Sequence, residues 1–104
     1  MRYKSEDVTQ SGDYTVLDVS SLSDYTSDKA VRIDYLIVQN ASGNTQKIIV
    51  KHGTVRVMAV ETELRTSGIA RQFQPPMVLP PNTDLVLNAS TADAYSYTVE
   101  YEYV

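Results

Sequence analysis

Residues 95–104, "YSYTVEYEYV", set the clearest pattern in the chain. Tyr95, Tyr97, Val99, Tyr101 and Tyr103 take every second position, with Ser96, Thr98, Glu100 and Glu102 between them. Alternation with period two marks an extended strand with one aromatic and one polar face. The same logic applies upstream. Val31, Ile33 and Tyr35 alternate with Arg32 and Asp34 before "YLIV" (35–38) turns apolar on both faces, as a strand entering a core does. "NASGN" (40–44) carries turn chemistry, and "QKIIVKH" (46–52) follows, so the two runs are expected to pair as a hairpin.

After Gly53, "TVRVMAVETEL" (54–64) places Val55 and Val57 on one parity, then Met58, Val60, Thr62 and Leu64 on the other. A bulge near 57–58 accounts for the slip. "IARQF" (69–73) is a weak strand. Four prolines in two pairs within "QPPMVLPPNTD" (74–84) confine "MVL" to an edge strand or packed loop. "DLVLNAS" (84–90) is another strand and "TAD" (91–93) a turn. No window holds a 3.6-residue period, so helix content near zero is expected.

The first third differs. Residues 1–30 are rich in Ser, Thr and acids, with few large aliphatics. Residues 1–13 are expected as an extended, exposed arm, "YTVLDVSS" (14–21) as a first strand, and "LSDYTSDKA" (22–30) as a loop. The expectation is an all-β chain: a single antiparallel β-sandwich, jelly-roll-like, of about seven to eight strands over 14–104, with the arm at 1–13.

Composition narrows the chemistry. The 104 residues include 13 acidic and 9 basic side chains, a formal charge of -4, which argues against a phosphate-binding surface and nucleic acid. With no cysteine there is neither a disulfide framework nor a thiolate metal site. The opening "MRYKSEDVTQSGD" lacks an apolar leader core and no stretch approaches membrane-spanning length, so a soluble chain without a removed leader is expected. Asn40-Ala-Ser and Asn88-Ala-Ser match the glycosylation acceptor pattern by chance.

His52 is the single histidine, and no nucleophile elbow or second imidazole accompanies it. The four glycines are isolated turn residues, which leaves no phosphate-cradling loop. Asp18, Asp24 and Asp28 are the densest place for calcium but lack the loop glycine and terminal Glu, and are read as solvated acids. Glu61 with Glu63, and Glu100 with Glu102, share strand faces that are polar anyway, so no glycosidase dyad is assigned. No catalytic, cofactor or metal residue is expected, and no enzyme.

The tyrosines carry what remains. In one reading the rings from Tyr95 to Tyr103 line the inner face or its rim. In the other, Tyr95, Tyr97, Tyr101 and Tyr103 join Tyr3, Tyr14 and Tyr25 on a contact surface, where tyrosine offers rigid area and a hydrogen bond.

The block "YLIVQNASGNTQKIIVKHG" followed by "FQPPMVLPPNTDLVLNASTADAYSYTVEYEYV" resembles the small β-sandwich virion proteins of tailed bacteriophages, over residues 31–104. The resemblance implies a non-enzymatic capsid decoration or cement protein, located on the virion capsid surface, that binds the major capsid protein or other virion proteins and bridges capsomers, often as a homo-oligomer with a trimer favoured. The alternative within the same resemblance is a tail, neck or fibre module that binds carbohydrate or a receptor. The polar N-terminal third lies outside the matched pattern.

Overall fold

The computed structural model describes residues 2–22, 30–41, 46–62 and 68–103, with backbone alone for 58–62 and 68–76. Among the described residues eight strands follow one another: β1 (Arg2–Val8), β2 (Gly12–Leu17), β3 (Val31–Asn40), β4 (Gln46–His52), β5 (Val55–Thr62), β6 (Gly68–Leu79), β7 (Leu85–Ala89) and β8 (Tyr95–Tyr103). They form two antiparallel four-stranded sheets. Sheet A has the order β1-β8-β3-β6 and sheet B the order β2-β7-β4-β5. Among consecutive strands only β4 and β5 are neighbours in one sheet; every other step crosses to the opposite sheet. That winding is an eight-stranded jelly roll, and the all-β sandwich expected from the alternation is the fold observed.

Three bulges adjust the pleat. On β3, Asp34 is an extra residue against β8, since Ile33 pairs with Tyr101 and Tyr35 with Glu100. Val31 and Ile33 therefore face inward before it, and Leu36 and Val38 after it. On β2 the extra residue is Val16, which lets both Val16 and Leu17 reach the core. On β5 it is Val57, between Arg56 opposite Lys51 and Met58 opposite Val50, at the site the parity slip indicates.

The two inner faces interdigitate. Leu36, Val38, Tyr95, Tyr97 and Val99 of sheet A meet Leu17, Ile48, Val50, Leu85 and Leu87 of sheet B, all buried. The Gly53–Thr54 turn joins β4 to β5 with Gly53 at φ 63, a conformation that favours glycine, and the Gly53 amide donates to Asp84 O at 2.7 Å.

Three expectations are corrected. β3 and β4 do not form a hairpin: β3 lies between β8 and β6, and β4 between β7 and β5, so neither has a free edge for the other. Turn-forming residues mark where the chain reverses, not which sheet it enters; here Asn40 and Gln46, at the two strand ends, are both fully buried as the chain crosses.

Residues 2–8 are not a free arm. They pair with β8 in continuous register from Arg2↔Tyr101 to Val8↔Tyr95. Composition concealed this, because Val8 alone enters the core while Arg2, Lys4 and Glu6 occupy the other inward positions. Charged residues aimed inward are also a device by which an edge strand resists foreign pairing.

The first strand of sheet B ends at Leu17, and Val19–Ser21 form a 3-10 turn whose Ser20 and Ser21 hydroxyls donate to the Asp18 carboxylate at 2.9 and 3.0 Å. The loop expected at 22–30 lies mostly outside the described residues. "IARQF" and "MVL" belong to one strand, β6, at the edge of sheet A. Its pairing with β3 is interrupted over 73–76, where Pro75 and Pro76 fall.

Because β1 is held in the ladder, trypsin is expected to cleave after Arg2 and Lys4 far more slowly in the native protein than in urea, as read by mass spectrometry. Equal rates would show that the segment is free.

Candidate functional site

Tyrosine placement divides the candidate surface residues. Tyr95 and Tyr97 are 0% and 1% exposed, inside the sandwich, with no surface to offer a partner. Tyr14, Tyr101 and Tyr103 are half-buried and pack against the core. The Arg2 guanidinium lies 4.9 Å from the Tyr103 ring centroid, a cation–π contact. Tyr3 is 65% exposed on the outer face of sheet A. Tyr25 lies outside the described residues.

The inward tyrosines build a polar clasp where β1 meets β2. Tyr97 donates to Glu6 Oε1, and Tyr14 donates to Glu6 Oε2 at 3.1 Å. Lys4 Nζ lies 3.3 Å from Glu6 Oε1 and donates to Val16 O at 2.8 Å. Tyr14 and Tyr97 rings meet at 6.3 Å, tilted by 53°. One carboxylate thus ties β1 and β8 of sheet A to β2 of sheet B. The Tyr97 hydrogen bond, followed by those of Tyr14 and Lys4, holds the Glu6 carboxyl below its ordinary 4.5. Burial, then the Glu6 contact, pushes the Tyr97 and Tyr14 hydroxyls up. Tyr95 is pushed up to about 12 by burial, and its hydroxyl has no hydrogen-bond partner.

Other candidate groups are absorbed by the scaffold. Asp13 accepts from Asn88 at 2.7 Å and from Lys51 at 3.1 Å on the outside of sheet B. Asn40, in one of the two acceptor patterns, is fully buried. Gln46 donates to Asp93 O at 2.9 Å, closing one end of the sandwich. At the other end, His52, Val55, Pro80, Asn82, Thr83 and Val86 line an open depression of about 620 Å³. Asp24, Asp28 and Glu63 lie outside the described residues, and among the described ones no three metal-binding side chains converge. Among the described residues no helix is long and apolar enough to cross a membrane.

The surface that stands out is the outer face of sheet A. Tyr3 of β1 pairs with Glu100 of β8, and Glu100 in turn pairs with Tyr35 of β3, so a tyrosine flanks the carboxylate on each side. The next row holds Ser5, Thr98 and Ile37, with Ser5 Oγ and Thr98 Oγ1 3.0 Å apart. Val78, 47% exposed, extends the face at β6. Tyr35 escapes a parity reading of the sequence, which groups it with Val31 and Ile33; the Asp34 bulge turns it to the outside.

No family model and no curated protein matches the chain. Solved structures do. A chain of the Drosophila NLP core, from work on its pentamer formation and histone binding, superposes with a TM-score of 0.63 at 9% identity, covering 97% of this chain and 94% of that one. A chain of the virus-like particle of extra small virus from the giant freshwater prawn Macrobrachium rosenbergii gives 0.46 at 16% identity, over 96% and 77%. One from infectious bursal disease virus, Gt strain, gives 0.37 at 12% identity, over 96% and 29%. At these identities the likeness to the NLP core is one of fold.

The two buried hydroxyls should behave oppositely. Tyr97→Phe removes a donor to a carboxylate and is expected to cost about 1–2 kcal/mol, whereas Tyr95→Phe removes an unpartnered buried hydroxyl and is expected to be neutral or to stabilise by up to about 1 kcal/mol. Urea unfolding measures both; equal losses would contradict the clasp.

The lowered Glu6 value means that its contribution is complete above about pH 4.5 and disappears as pH falls through the folded-state value. Asp13, lowered by Asn88 and then Lys51, acts in the same direction. Stability should therefore drop from pH 6 to pH 3, and Glu6→Gln should remove part of the drop. A variant with the parent's pH profile would contradict this. The raised tyrosines act at the other limit, with stability lost as pH rises above 10.

Proposed function

We propose that this chain is a non-enzymatic structural protein of a virus particle, a decoration or cement protein that binds the assembled shell and stabilises contacts between its capsomers. The observation that carries the reading is the outer face of sheet A, a broad strand surface with Tyr3, Glu100 and Tyr35 across its width and small hydroxyl residues beside them. Such a face works by surface complementarity, and tyrosine is a favoured anchor at protein contacts.

The virion setting is supported by the resemblance of residues 31–104 to small β-sandwich virion proteins. Self-association is supported by the jelly roll shared with the NLP core, for which pentamer formation is described; the trimer implied by the virion resemblance and a pentamer are the two assemblies to distinguish. The alternative, a tail, neck or fibre module, draws on Tyr3, which is 65% exposed on the outer face of sheet A, where tyrosine rings can stack on a sugar.

The test uses heads of the source virus assembled without this protein. The chain is expected to bind them saturably, to ignore unassembled capsid subunits and to raise the temperature at which the heads rupture. Light scattering should give a multiple of 11.6 kDa. A monomer that ignores heads, or turnover of any substrate, would overturn the proposal. Binding to a glycan array that vanishes in Tyr3→Ala would favour the fibre reading.

A further inference from the structure

The centre of the outer face of sheet A holds an uncompensated charge. Glu100 sits half-buried between Val99 and Tyr101, both of which face inward, so its carboxylate points outward. Among the described residues it takes part in no hydrogen bond or ion pair. Nearby cations among the described side chains are already engaged. Arg32 donates to Asp34 at 2.6 Å, and Glu102 has partners of its own. Lys4, on the same strand as Tyr3, is turned inward to Val16 and Glu6.

Two rings flank that carboxylate. Neighbouring strands lie about 4.8 Å apart, so the backbones of Tyr3 and Tyr35 sit about 10 Å apart with Glu100 midway. That spacing admits one planar cation with a ring on either side, each within the roughly 6 Å at which cation–π attraction operates. The chain makes half of this arrangement internally, where Arg2 lies over Tyr103. A guanidinium suits it better than an ammonium, because it stacks on rings and binds a carboxylate through parallel donors. Asp7, outward on β1, adds to the negative character of the face.

We infer that Tyr3, Glu100 and Tyr35 form a receptor for an arginine side chain projected by a partner protein, and that this contact is the anchor by which the outer face of sheet A docks. The inference rests on the docking reading above and specifies its partner chemistry: a surface that presents an arginine. The cation completes Glu100 and is held between the two rings.

The test is a titration of the isotope-labelled 104-residue chain with the peptide acetyl-Gly-Arg-Gly-amide, followed by amide and ring chemical shifts. The control is the same peptide with citrulline, which keeps the shape and lacks the charge. Saturable shifts confined to Tyr3, Tyr35, Glu100 and their neighbours are expected with arginine alone. Glu100→Gln and Tyr35→Ala, each checked for a native spectrum, should weaken binding about tenfold.

Equal shifts with citrulline, shifts elsewhere, or full affinity in Glu100→Gln would overturn the inference. So would an oligomer of the free chain that dissociates in Glu100→Gln, since the occupant would then be a second copy. Head binding separates the two readings. A chain that binds heads with Glu100→Gln intact keeps the structural role and loses the arginine receptor. One that binds the arginine peptide at Glu100 but ignores heads keeps the receptor and loses the virion role.

Discussion

The position of β8 between β1 and β3 is the constraint from which the other features follow. Its ladder to β1 organises residues 2–8, and its ladder to β3 fixes where the Asp34 bulge must fall. Its inner face contributes Tyr95, Tyr97 and Val99 to the core, with about 1.5–3 kcal/mol gained for each large apolar side chain fully buried. Its outer face presents Glu100 between two tyrosines. Because side chains alternate strictly, moving the strand by one residue would exchange these faces, carrying glutamates into the core and tyrosines into water.

Burying tyrosine rather than phenylalanine requires somewhere for the hydroxyl to go. Tyr97 finds Glu6, and that contact brings a carboxylate to the inner side of an edge strand otherwise poor in apolar residues. Tyr14 and Lys4 then gather on the same group from the opposite sheet and from β1 itself. The clasp thus replaces, on β1, the hydrophobic contacts that hold the inner strands. Since Lys4 and Glu6 remain about 40% exposed, the ion pair alone is worth little and the tyrosine hydrogen bonds matter more.

Local pattern was enough for much of the fold. The alternation in β8, the apolar run in β7, the slip at Val57 and the proline limits on β6 all appear in the structure as the residues suggest. Pairing was not legible at β3 and β4, because both strands are interior and their apolar content is equally compatible with one sheet or two. β1 was hidden by Arg2, Lys4 and Glu6: the inward Glu6 is met by Tyr14 on the next strand and by Tyr97 near the other end of the chain, and Arg2 lies over Tyr103. At the surface, Tyr3 was visible from sequence, whereas Tyr35 was masked by a one-residue bulge that the alternation of Val31, Ile33 and Tyr35 does not announce.

The outer face of sheet A proposed for docking is therefore a by-product of how the core is solved. Inward tyrosines consume most of the aromatic content, and the bulge supplies the second outward ring beside Glu100. Cross-strand proton–proton contacts in solution test the central claim most directly. If β8 lies between β1 and β3, Thr98 shows backbone contacts to both Ser5 and Ile37, its partners on either side. Contacts between the backbones of β3 and β4 in place of these would contradict the account.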